Sequence, residues 1–287
     1  MKDLAALHHT GFGTEDGTPP ILAGFECGRL HWNGHDLLHS TDHLPHGQMA
    51  HHYATALEQG VAGARDGLSW RHDIVARVQA APEGLPVIWD FCHFDLPPKP
   101  AAHAIACATA LPPGSWAIAV NEPSVGRRVS GITPSKAIAA AKRMMTSVDM
   151  LPNAPRFATC DPFHHLAPSV FKATDELVAT GLIRMVGINY YPHHAIEPLH
   201  VVLRTVADRY RLPVMITETG WHDGLPAAHR RFPHVHDRWG WLSHVRDEIA
   251  LSGVNVAGIC WYPWLDMPDW DHPHRGSWPC GWPGRQR

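Results

Sequence analysis

Trp116-Ala-Ile-Ala-Val-Asn-Glu-Pro123 and Pro213-Val-Met-Ile-Thr-Glu-Thr-Gly220-Trp221 are built to one plan. In each, an apolar run of strand length ends at a glutamate, Glu122 or Glu218, and a Pro or Gly then breaks the chain. A barrel enzyme places its catalytic groups at the C-terminal ends of buried strands. Two such carboxylates point to a pair acting on one bond.

Working outward, the same kind of run recurs along the chain. The pattern predicts strands at Leu22–Cys27, Gly63–Leu68, Pro86–Cys92, Trp116–Asn121, Arg156–Thr159, Arg184–Tyr190, Pro213–Glu218 and Val256–Tyr262. Periodic Ala- and Leu-bearing segments lie between them: Gln48–Gly60, Ala101–Leu111, Thr133–Met150, Ser169–Thr180, Leu199–Tyr210 and Trp239–Ser252. Thr133-Pro134 reads as a helix N-cap followed by the first helical residue, and Gly60, Gly181 and Gly253 read as C-caps. Strands alternating with helices make a parallel sheet, and eight strands close the (β/α)8 TIM barrel. A doubly wound sheet is the competing architecture, but no GxGxxG or Walker loop follows the first strand. With no repeat, low-complexity tract or linker, residues 1–287 read as a single α/β domain.

Composition narrows the function. At 287 residues and 45% hydrophobic content, the chain can bury a large core. A formal charge of −3 gives no electrostatic case for nucleic acid or an anionic membrane. No apolar run approaches the roughly 20 residues of a membrane span. The first residues lack an apolar signal-peptide core, and six scattered cysteines without a CxxC fit free thiols. The expectation is a cytoplasmic protein. The 24 histidines, many in doublets such as His193-His194, are the compositional oddity. They are not spaced as three or four converging ligands, so no metal is expected. They do imply a net charge that climbs as the pH falls below about 6.5.

The strand ends hold a characteristic set of residues. Glu26 and His31 follow the first strand, and Arg65, Trp70 and Arg71 accompany the second. The third ends in Asp90, His93 and Asp95, the fourth in Asn121 and Glu122, and the fifth in Asp161, His164 and His165. The sixth gives Asn189, Tyr190 and Tyr191, and the seventh Glu218 and Trp221. The eighth gives Trp261, Trp264, Asp266, Asp269 and Trp270. Carboxylates, amides, one Arg and many indoles suit a sugar, whose hydroxyls take hydrogen bonds while its C–H face stacks on aromatic rings. The expected partner is therefore a small carbohydrate, and the chemistry needs no cofactor.

These residues resemble the clan A glycoside hydrolases, most closely the family 1 β-glycosidases. His93-Phe-Asp-Leu-Pro97 is similar to the family's third-strand His-Trp-Asp-Leu-Pro. Asn121-Glu-Pro123, Gly187-Ile-Asn-Tyr-Tyr191 and Thr217-Glu-Thr-Gly220 match its fourth-, sixth- and seventh-strand motifs. Gly60-Val and Arg65 through Arg71 resemble its second-strand block, and Tyr262 through Trp270 loosely echo the eighth. The likeness runs in order from about residue 24 to 271.

The resemblance implies a retaining β-glycosidase, with Glu122 as acid/base and Glu218 as nucleophile about 5–5.5 Å apart. It implies that Arg65 and Tyr190 contact Glu218 and keep it anionic and aimed. Asn121 would bond the sugar's 2-hydroxyl and His93 another hydroxyl, with Trp264 and Trp270 stacking on the ring. The chain also departs from the family. It is shorter, so its sugar-binding loops are trimmed. The first-strand Gln has no clean counterpart, with His31 and Glu26 the alternatives, and Asp269 stands where the family has Glu. A sugar-binding barrel without turnover and a barrel metalloenzyme are the competing functions.

Overall fold

In the computed structural model, eight parallel strands form one closed barrel. The structure describes residues 18–25, 29–32, 35–38, 46–125, 131–164, 166–222, 226–268, 277–278 and 281–282. The barrel strands are β1 (Ile21–Phe25), β2 (Gly63–Gly67), β3 (Val87–Asp90), β4 (Trp116–Ile118), β5 (Arg156–Ala158), β6 (Ile183–Asn189), β7 (Val214–Thr219) and β8 (Val256–Trp261). Each pairs with the next, and β8 returns to β1 through Ile21↔Ile259 and Ala23↔Trp261. All eight strands were legible in the sequence. The strands end short of the predicted ends at Cys92, Asn121 and Tyr190, because there the chain leaves the ladder to present polar side chains, while the predicted end at Cys27 lies outside the described residues.

The helices between the strands are α1 (His46–Glu58), α2 (Ile74–Gln79), α3 (Pro100–Ala110), α4 (Pro134–Val148), α5 (Pro168–Val178), α6 (Leu199–Tyr210), α7 (Pro226–Arg231) and α8 (Arg238–Ser252). Their ends follow from local chemistry. Thr133 accepts a hydrogen bond from the Lys136 N–H ahead of Pro134, and Gly253 ends α8 at φ 66°. The six-residue helices α2 and α7 were not predicted. They are too short for a periodic signal, although Asp73 caps α2 by accepting from the Ala76 N–H. An antiparallel hairpin, Arg29–Trp32 with His35–Leu38, was also missed.

Strand alternation sorts the core into two layers. Leu22, Ile88, Trp116, Ile118, Ala158, Cys160, Met185, Met215, Ala257 and Cys260 fill the barrel. Outward-facing residues pack on the helices in a larger cluster. That layer has a polar exception. Asp66, outward on β2, is wholly buried and takes hydrogen bonds from Arg77 of α2 at 2.8 Å and from the Tyr53 hydroxyl of α1 at 2.5 Å. Arg77 pins α2 to the barrel, because either charge left alone there would be costly.

Candidate active site

The apolar filling of the barrel gives way at its C-terminal end to a connected polar net. Arg65, one residue before Asp66 and pointing inward, is its hub. Its Nε and Nη2 donate to Asp90 at 3.0 and 2.6 Å, and Nη1 donates to Glu218 Oε1 at 2.6 Å. Nη2 also donates to Asn121 Oδ1 at 2.8 Å, and Nη1 to the Thr217 carbonyl at 3.1 Å. The side chain is about 1% exposed, so five hydrogen bonds replace its hydration. Only the planar guanidinium fork can serve acceptors on three strand ends at once.

Two strand irregularities bring the glutamates to this net. On β7, Met215 and Thr217 face the barrel interior, so simple alternation would turn Glu218 outward. The pairing with β6 slips between Ile216 and Glu218, a bulge that sends both Thr217 and Glu218 to the site. Glu218 Oε2 then accepts from the Tyr191 hydroxyl at 2.9 Å. On the β4 side, Glu122 sits at φ 42°, a left-handed conformation uncommon for residues other than glycine. Its N–H donates to the Cys160 carbonyl at 2.9 Å, and its Oε1 accepts from Asn189 Nδ2 at 2.8 Å.

Asn189 and Cys160 connect the two sides. Asn189 Oδ1 accepts from the Thr217 hydroxyl at 2.8 Å and from the Cys160 thiol at 3.0 Å. The same thiol lies 2.9 Å from Asn121 Oδ1. With both amide oxygens engaged below, both amide nitrogens turn toward the carboxylate and imidazole above. Burial pushes the Cys160 thiol well above its ordinary range, so it stays a neutral donor.

The carboxyl groups differ in their electrostatics. Burial would raise Asp90, but Arg65 and His93 outweigh it and hold its pKa below the usual value. Among the described residues, no cation is bonded to Glu122. Burial, then the neighbouring Glu218 charge, raise its pKa to about 8. Asp161, buried just past β5, is likewise pushed up to about 7 by burial. His93 Nδ1 lies 3.2 Å from Asp90 Oδ2, and Asn121 Nδ2 donates to its Nε2 at 3.0 Å. That pattern assigns the Nδ1–H tautomer. A small pocket opens beside Glu122, lined by Cys92, His93, Phe94, Leu96, Asn121 and Ile132 among others.

The structure brings together Glu122, Glu218, Arg65, Asn121 and His93. Two expectations need correction. The Tyr190 hydroxyl points away and donates to the Glu197 carbonyl at 2.7 Å, and its ring stacks on Trp241; it is Tyr191 that reaches Glu218. Strand parity explains the exchange and was readable beforehand. Asn189 faces inward, so the residue two further on does so too. Trp264 is also no stacking surface. It is fully buried, edge-on to Phe25 and stacked on Trp282 at 5.1 Å. Glu26, Asp269 and Trp270 lie outside the described residues. Sequence reasoning gave Asp90 and Asn189 no firm role and overlooked Cys160; alternation from Ile88, Gly187 and Ala158 puts all three inside.

Beside Tyr191, the rings of His193 and His194 lie 4.1 Å apart, with His164 5.1 Å from His194. Burial, then His194, His164 and His222, lower the His193 pKa to about 3. Burial also lowers His103 and His244. These three charge at lower pH than an ordinary imidazole. Among the described residues, no group of three His, Cys, Asp or Glu is arranged to hold a metal ion.

No family model and no curated protein matches this sequence. Solved structures do match its fold. The chain is similar to the β-glucosidase from Thermotoga maritima at 14% identity and TM-score 0.60, covering 94% of this chain and 93% of that one. It is similar to a β-glycosidase from Pyrococcus horikoshii at 11% and 0.59, covering 93% and 89%. Cel5A from Thermotoga maritima, solved with mannotriose, aligns at 11% and 0.55, covering 95% and 97%. The shared feature is the (β/α)8 barrel.

Proposed function

We propose that this protein is a retaining β-glycosidase of the family 1 type, acting on small β-glycosides. Glu122 is the acid/base and Glu218 the nucleophile. The reading is carried by one observation: two strand-end glutamates share a hydrogen-bonded net, yet one is paired with Arg65 and the other is held protonated to about pH 8. Glycoside cleavage needs that division, a proton donor for the leaving oxygen and a carboxylate for the anomeric carbon. In the first step Glu218 attacks that carbon while Glu122 protonates the departing oxygen. In the second, Glu122 takes a proton from water as the water displaces Glu218. Similarity of fold to a β-glucosidase and a β-glycosidase supports the same reading.

Arg65 and Tyr191 orient the nucleophile, and Asn121 spends one of its two Nδ2 protons on His93, keeping the other for a hydroxyl. Cys92, Cys107, Cys160 and Cys260 are buried free thiols, which supports a cytoplasmic location. The test is a panel of aryl β-glycosides with wild type and Glu218→Ala. Wild type should hydrolyse at least one. Glu218→Ala should lose about 10⁴-fold or more in kcat, and added azide should restore turnover with an α-configured azide as product. Full activity in that variant sinks the assignment.

A further inference from the structure

Asp161 is a second buried carboxyl beside Glu122 that the proposed chemistry does not use. It sits in a two-residue parallel bridge past β5, where Asp161 pairs with Ile188 and Pro162 with Asn189. It is about 1% exposed. Its Oδ1 accepts from the Ser124 hydroxyl at 2.5 Å and from the Ser124 N–H at 3.3 Å. Oδ2 is buried and meets no hydrogen-bond partner among the described residues. Ser124 lies two residues past Glu122, on the turn closed by the Val125 N–H donating to the Glu122 carbonyl at 2.9 Å. One carboxylate oxygen therefore holds the turn that follows the strained residue, and the Glu122 N–H is fixed to Cys160, the neighbour of Asp161. The strained backbone is clamped from both sides by the Cys160-Asp161 pair.

We propose that Asp161 is a positioning residue for Glu122, clamping its turn through Ser124 and placing a second negative charge beside the proton donor. The inference rests on Glu122 being that donor. The groups whose charge reaches Glu122 are Glu218 from β7, Asp161 from beyond β5 and His93 from beyond β3. Asn189 of β6 adds a hydrogen bond. Both carboxylates disfavour ionisation of Glu122, and the Asn189 amide favours it. Among the described residues, Asp161 bonds to Ser124 and to no cation, so no ion pair there absorbs its charge. A carboxyl there is poor design for stability, since burial opposes its charge. As a means of delaying proton loss from Glu122 it makes sense.

The decisive variant is Asp161→Asn, which keeps the shape and an acceptor for Ser124 but removes the charge. The basic limb of its kcat/KM–pH profile should move down by about 0.5–1 pH unit, with kcat at the optimum falling less than about tenfold. A role confined to shape would leave the limb in place. In parallel, the carboxyl-carbon NMR signal of Glu122, assigned with Glu122→Gln, is titrated in both proteins. Its midpoint should fall by the same amount. Should Asp161→Asn fail to fold, Asp161→Ser makes the same measurement. An unmoved midpoint overturns the inference, whatever the activity. A shifted midpoint in a protein that cleaves no glycoside sustains the clamp while rejecting the proposed function.

Discussion

The ends of β4 and β7 reach the same place by opposite means. On β7 a pairing slip turns Glu218 inward, where Arg65 and Tyr191 saturate its oxygens. On β4 the backbone itself is forced to φ 42°, and Glu122 receives one neutral amide in compensation. The first end is bulged but free of left-handed residues, and it is strongly bonded. The second is strained and electrostatically opposed, at a cost of order 1–3 kcal/mol for the backbone alone. On the proposed assignment, the group that must stay charged gets a cation, and the one that must keep and then release a proton gets burial and a like charge.

The contrast can be broken experimentally. After the loss expected of Glu218→Ala, the next largest effect should come from Glu122→Gln on glycosides with poor leaving groups, about 10²–10⁴-fold in kcat, shrinking as the leaving group becomes more acidic. An equal loss across leaving groups would remove Glu122 from proton donation. Arg65→Met should follow, costing about 3–5 kcal/mol of stability in chemical denaturation, since Asp90 and Glu218 would remain buried without their cation. A loss under about 1 kcal/mol would show that the net is not held by that charge. Tyr191→Phe should lower kcat about 10–100-fold, the value of a hydrogen bond to a charged group. Tyr190→Phe should cost about 1 kcal/mol of stability with little change in kcat; the reverse ranking would restore Tyr190 to Glu218.

The smallest expected effect is on thermal stability against pH. The folded pKa of Glu122 lies above its unfolded value, so its contribution is fully present below about pH 4.5 and is lost as pH rises toward about 8. Glu122→Gln should flatten the fall in Tm across that window by a few degrees. Identical slopes in both proteins would mean that Glu122 ionises freely in the folded state.

These comparisons also show what could be read from the chain. Eight strands and six of the helices were visible because each buries an apolar face with a regular period, and Pro134 or Gly253 mark their ends locally. The carboxylates were visible because they terminate such runs. What escaped was direction. Tyr190 and Tyr191 differ by one residue and hence by a whole face of the sheet. Trp264 looked like a platform because composition records an indole and not what covers it. The hub role of Arg65 required knowing that Asp90, Asn121 and Glu218 converge from three other strands, which depends on closure. The left-handed turn at Glu122 has no local signature, since neither Asn nor Gly occupies it. Asp161–Ser124 joins segments 37 residues apart, beyond any periodic signal.

Gly187 has a consequence for anyone altering this barrel. A methyl group at that position would collide with the Thr159 carbonyl and with both branches of the Thr217 side chain. Thr217 is the residue whose hydroxyl fixes Asn189 and whose carbonyl receives Arg65. Position 187 therefore acts as a shim of zero thickness between β5, β6 and β7, and the spacing of both glutamates is set across it. Even an alanine here would force β6 away from Thr159 and Thr217, and with Thr217 would move the groups that hold Asn189 and Arg65.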